Sequence, residues 1–137
     1  MAANKYIKGS EWRKWDLHVH TPKSIIQHYG GDTDEAWEKF ISDLERLPSE
    51  YKAIGINDYI FIDGYKKVLE YKNEGRLPNI DLIIPVLELR VDKFSSIGDE
   101  AWKKINLHVL FSNDIKPEMI EAQFLSAIQH SIKISPD

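Results

Sequence analysis

Between Asp81 and Val91 the chain contains Leu-Ile-Ile-Pro-Val-Leu-Glu-Leu, and no other stretch narrows the fold as much. A strand with one wet face alternates apolar and polar residues, and this run does not. Near-continuous apolar character is the pattern of a parallel strand buried on both faces. Pro85 has no N–H to give a ladder, so it predicts a bulge or a break into two strands.

The segments around this run alternate between strand and helix. Lys14–His20 reads as the first strand, followed by a loop holding His28, Gly30 and Gly31. Asp32 with Glu35 resembles a capping box, and Trp37, Phe40, Ile41, Leu44 and Leu47 then recur at helical spacing until Pro48. Ala53–Ile56 is a short apolar strand running into Asn57-Asp58-Tyr59. Asp63 is placed to cap a second helix that turns Tyr65, Val68 and Leu69 inward, with Gly75 as its C-terminal cap. Ile105–Phe111 alternates as a strand, Pro117–His130 is a third helix burying Ile120, Phe124 and Ile128, and Ser131–Asp137 can begin one more strand. The fold class is therefore α/β, with about five strands and three helices. Strands joined through helices predict a parallel sheet with right-handed crossovers.

Chemistry in such sheets gathers at the carboxyl ends of the strands. The stretch Trp15-Asp-Leu-His-Val-His-Thr-Pro22 brings the richest set of side chains to such an end. Alternation puts Trp15, Leu17 and Val19 on one face, suited to packing against helices, and Asp16, His18 and His20 on the other. Two imidazoles from one rigid strand can chelate a divalent cation, and a nearby carboxylate can fix their tautomers. A polar strand face with one imidazole satisfied by a backbone carbonyl is the competing account of the same residues. Asp58 and Glu88 also fall at strand ends, and His108 lies within its strand on the face opposite the apolar residues. Several strands each supplying a metal-capable residue amount to a constellation.

Composition sets the outer limits. The 137 residues are one domain's worth of chain, 42% apolar and 29% charged, as in an ordinary globular protein. A net charge of −4 argues against a broad nucleic-acid footprint but leaves room for a local basic groove. With no cysteine, any metal must sit on His, Asp or Glu. No apolar run approaches the roughly 20 residues that span a bilayer, so no membrane partner is expected and a cytoplasmic protein is. There is no Gly-x-Ser-x-Gly and no phosphate-binding Gly-Lys-Ser/Thr loop.

Asp16, His18 and His20, then Asn57-Asp58-Tyr59 after a short apolar strand, then Glu88, then His108 resemble in order and spacing the motifs of the PHP family, the polymerase and histidinol phosphatase domains. The lead-in Gly9–Trp15 with Ile56-Asn-Asp-Tyr further resembles PHP domains at the front of AAA- or SMC-like ATPases linked to DNA repair or phage defence. The resemblance implies a distorted (β/α)7 barrel holding up to three divalent ions, with zinc, manganese and iron all suited to the ligands. It implies hydrolysis of phosphoesters, with nucleotides and nucleic acid among the candidate substrates. His18 and His20 would bind one metal, Glu88 would bridge two, His108 would hold another, and Asp16 would orient ligands.

Two departures from the family pattern stand out. Tyr59 occupies the position of a metal-binding His, leaving Asp58 as the residue to compensate, and the final Asp-x-His motif is absent. His28 is a candidate further ligand, whereas His130, near a helix end, is better explained by the helix dipole. A full barrel needs about seven or eight strands and usually above 200 residues. Residues 1–13 accordingly read as a lead-in and 14–137 as the N-terminal part of a PHP domain, its partners the rest of a longer ATPase chain or another subunit. The alternative to a phosphoesterase is a non-catalytic PHP module serving as a structural or docking domain of such an ATPase.

Overall fold

The computed structural model describes residues 12–95 and 103–128. Strands β1 (Lys14–Val19), β2 (Tyr51–Tyr59), β3 (Leu82–Ser95) and β4 (Lys103–Leu110) form one curled sheet, a half-barrel, in the order β1-β2-β3-β4. Helices α1 (Asp34–Glu45) and α2 (Asp63–Asn73) follow the first two strands. A third helix, α3, consists of an α-turn at Pro117–Met119, a π-helical stretch at Ile120–Leu125 and a last turn at Ser126–Ile128. The protein is thus α/β with a mixed sheet. Among the described residues no helix is long and apolar enough to cross a membrane.

The helices cover one face of the sheet and build the core there. Trp37, Phe40 and Ile41 of α1, Tyr65 and Val68 of α2, and Ile120 of α3 meet Ile54 and Ile56 of β2 and Ile83 and Leu87 of β3. Leu47, Leu69 and Phe124 pack against this cluster as partly buried residues. Arg76 ties α2 to α1, its guanidinium bidentate on Glu45 at 2.9 Å and also bonded to Glu38. At the end of α2, Gly75 takes φ 91°, and the Gly75 and Arg76 N–H groups reach back to Lys72 and Tyr71 carbonyls. This is the capping motif that glycine at that position predicts.

The wholly parallel sheet expected from the sequence is corrected at its last strand. β1, β2 and β3 are parallel, but β4 runs antiparallel to β3. The stretch from Ser95 to Lys103 is shorter than the dozen or so residues a parallel crossover requires. Nor does Pro85 break β3, which pairs with β2 without interruption from Leu82 to Glu88. The Pro85 carbonyl faces β4 and accepts from Phe111 N–H, so its nitrogen faces that side too, just past the last β3–β4 pair, Val86 with Leu110. No donor is needed there.

Smaller expectations also shift. Thr33, not Asp32, caps α1, its hydroxyl accepting from Ala36 N–H at 3.2 Å, while Asp32 takes the Trp37 indole N–H at 2.6 Å. Asp63 is the first residue of α2 and makes no capping bond. β2 runs three residues beyond Ile56 and so includes Asn57, Asp58 and Tyr59. Trp15 is 58% exposed rather than packed, because β1 is an edge strand whose start lies outside the helical cover. Ile128 is not among the buried residues of α3, and His130 and the strand anticipated at Ser131–Asp137 lie outside the described residues.

Candidate metal centre

Sheet register assembles the site. Tyr59 on β2 is paired with Glu88 on β3, and Glu88 with His108 on β4, so one row of side chains crosses three strands. The pleat sends this row to the face opposite Leu87 and the helices. β1 delivers two more groups at its carboxyl end. Its pairing with β2 shifts register between Asp16 and Val19, and His18 and His20 both turn toward Glu88.

Three imidazoles converge on one carboxylate oxygen. The Nε2 atoms of His18, His20 and His108 lie 3.3, 3.4 and 3.7 Å from Glu88 Oε2. His18 and His20 bring their Nε2 atoms to 3.0 Å of each other. Donors at about 2.0–2.1 Å from a tetrahedral cation stand about 3.3–3.4 Å apart. The observed separations bracket that value, and the donor atoms of His18, Glu88 and His108 all fall within 4.8 Å of one another.

Glu88 is fully buried, and a carboxylate there is costly unless it is paired and hydrogen-bonded. Among the described residues no lysine or arginine pairs with it. Asn57 Nδ2 donates to Oε2 at 3.2 Å, and Asn106 Nδ2 donates to Oε1. These amides fix the carboxylate plane and leave Oε2 facing the imidazoles. His108 Nε2 is buried and has no hydrogen-bond partner. A buried nitrogen without a partner, aimed at a buried anion, is what a cation site leaves when only its ligands are considered. The residues therefore fit a divalent metal, and the donor set of imidazoles and carboxylate suits zinc, manganese or iron alike.

Tyr59 does not contribute an imidazole, but its ring lines the site. It stacks on His20 at 5.1 Å and 17°, and the Arg90 guanidinium lies 5.9 Å from the ring centre. Burial and the neighbouring Glu88 charge push the Tyr59 phenol above its ordinary pKa, so it remains a hydroxyl donor at neutral pH. Burial also holds the His20 imidazole below its ordinary range, with the Glu88 charge opposing. The neutral ring, the form that binds a metal, is favoured. Immediately after Tyr59 the chain turns at Ile60, whose φ of 50° is strained for a β-branched residue. The Ile60 N–H reaches the Glu88 carbonyl at 3.4 Å.

Of the residues singled out in the sequence, His18, His20, Glu88 and His108 are brought together. Asp16 is exposed and accepts from the backbone N–H of His18 at 3.1 Å, shaping the strand end rather than holding a ring. Asp58 does not join the group. Its pleat position is on the helical face, and its carboxylate takes Thr21 N–H at 2.9 Å and Thr21 Oγ1–H at 2.6 Å. Burial raises its pKa and the two Thr21 bonds oppose the rise. His28 is exposed in the loop after β1.

Thr21, Ser24, Asn57, Asn106 and Arg90 received no role from the sequence. The period of two along β4 does contain the signal for Asn106, which shares a face with His108. Compared with known proteins, the chain matches no family model, no curated protein and no solved structure.

Proposed function

We propose that this protein is a metal-dependent phosphoesterase of the PHP type, built on His18, His20, Glu88 and His108. The observation that supports it best is the convergence of three imidazole Nε2 atoms on one oxygen of a fully buried glutamate. When bound, a divalent ion supplies Lewis-acid stabilisation of a phosphoryl group and lowers the pKa of a water. The chain's own residues perform the rest. The three histidines present imidazole donors, Glu88 supplies the anionic anchor, and Asn57 and Asn106 hold its orientation. Arg90 and the Tyr59 hydroxyl stand on the same face, a positive charge and a donor suited to phosphoryl oxygens. Nucleotides and nucleic acid are the candidate substrates in which those groups would be useful.

A second reading, a non-catalytic module in which the same metal holds the sheet together, is favoured by Tyr59. A phenol with a raised pKa is a poor ligand, so this corner of the site lacks the imidazole that a further ion would use. Elemental analysis of purified protein, with phosphodiester and phosphomonoester hydrolysis assayed beside His20→Ala, separates the two. Bound metal and hydrolysis that are lost together in the variant fit the enzyme. Metal lost with stability, and no hydrolysis in either protein, fits the structural module.

A further inference from the structure

The carboxyl end of β1 is held by a side chain where the backbone ladder stops. The last pair between β1 and β2 is Val19 with Ile56, so His20 lies just past the bonds of the sheet, whereas Glu88 and His108 lie within them. Continued by two residues, the same register sets Thr21 beside Asp58. There the Asp58 carboxylate takes the place of the ladder. Its Oδ1 accepts from the Thr21 N–H at 2.9 Å, and its Oδ2 accepts from the Thr21 hydroxyl at 2.6 Å. The other polar atoms of Thr21 are occupied too. Oγ1 accepts from the Lys23 N–H at 3.2 Å, and the carbonyl accepts from the Ser24 N–H at 3.0 Å. Thr21 and Asp58 are both buried, and hydrogen bonds to a carboxylate shielded from water are strong. A Cβ on Gly64 would collide with Asp58 Oδ2 and Thr21 Oγ1, so glycine there is what allows α2 to close over this pair.

We propose that Asp58 is a positioning residue for His20, acting through Thr21 from the far side of the sheet. Thr21 shares the parity of Val19 and faces the helices, while His20, one residue earlier, faces the other way. Fixing the Thr21 backbone therefore sets where the His20 ring leaves the chain. From that position His20 Nε2 stands 3.4 Å from Glu88 Oε2 and 3.0 Å from His18 Nε2. The proposal rests on the reading of His20 as a metal ligand. It divides the site in two: the ladder places Glu88 and His108, and the Asp58–Thr21 clamp places His20.

The test is a zinc titration of wild type, Thr21→Val and Thr21→Ser, each also made together with His20→Ala. Valine keeps the shape and the N–H bond but removes the hydroxyl, and serine keeps both bonds. Thr21→Val should bind zinc about tenfold or more weakly, with Thr21→Ser close to wild type. Beside His20→Ala, Thr21→Val should cause no further loss, because its effect runs through the missing ring. An equal loss in both backgrounds, or none in either, overturns the proposal. Imidazole NMR spectra of the metal-free protein give a second readout. Thr21→Val should shift the His20 signals and leave those of His108 in place; an unmoved His20, or a His108 shifted as far, overturns the proposal as well. Asp58→Asn, which keeps an acceptor for the Thr21 N–H, should show the same pattern if Thr21→Val fails to fold. A wild type that takes up no zinc counts against the phosphoesterase reading, while the imidazole spectra still decide the role of the clamp.

Discussion

Glu88 and His108 are paired partners across the antiparallel β3–β4 ladder, with the imidazole Nε2 3.7 Å from the buried carboxylate. Neither needs a flexible loop to reach the other, because the backbone hydrogen bonds that form the sheet also form the contact. This part of the site is therefore as rigid as the sheet.

Metal should stabilise the fold through this row. At a free zinc concentration about 100 times the dissociation constant, binding to the folded state alone contributes about 2.7 kcal/mol. We expect thermal unfolding of wild type to rise on zinc addition and to fall back on chelation, with His108→Ala insensitive to both. Equal responses in the two proteins would argue against His108 as a ligand.

Glu88→Gln should act in opposite directions with and without metal. In metal-free protein the change removes a buried charge and keeps the shape, so stability should stay level or rise. With zinc present the variant should lose most of the stabilisation that wild type gains. Denaturant titrations under both conditions check this, and a variant less stable in both would count against the charge argument.

Gly64→Ala sets two effects against each other. Alanine favours a helix by about 1 kcal/mol over glycine, but overpacking a tight contact costs about 1–3 kcal/mol and sometimes more. Since the Cβ would strike a buried carboxylate and a buried hydroxyl, the clash should win. Unfolding of the variant at lower denaturant than wild type is the expected result.

Arg76 provides an acid-sensitive tie between α1 and α2. Its hydrogen bonds, followed by that from the Leu77 N–H, hold the Glu45 carboxyl below its ordinary pKa. A depressed folded pKa means stability that is present above the unfolded value of about 4.3 and lost as pH falls through the folded one. Arg76→Ala should lower stability slightly at neutral pH and flatten the stability profile in that acid window. A profile parallel to wild type throughout the acid limb would show that the tie contributes nothing.

Much of the site was legible because strands announce their faces. His18 and His20 share a parity, and His108 stands opposite Ile105, Leu107 and Val109, so the alternation of β1 and β4 pointed to the ligands without coordinates. Glu88 was visible as the one charge in an apolar run. Asp58 was misplaced for the converse reason: treated as following its strand, it escaped the parity rule, whereas inside β2 it alternates with Asn57 and Tyr59 and must face the helices. The reversed direction of β4 was not legible. Strands read as ending at Val91 and resuming at Ile105 leave room for a parallel crossover, and only their observed extension to Ser95 and Lys103 makes the connection too short. The contact of Ser24 with His20 had no comparable signal, because a hydroxyl in a turn shows its partner only once the chain has folded.

The row Tyr59–Glu88–His108 makes the site a gauge of alignment. Sliding β4 by one residue against β3 would turn His108 and Asn106 outward and bring Leu107 to the glutamate. A misaligned sheet could still look folded by helix content or compactness, yet it would be blind to the ion. If the proposed site takes up a cation, that capture would double as proofreading of the chain's own assembly, rewarding the strand alignment in which His18, Glu88 and His108 meet.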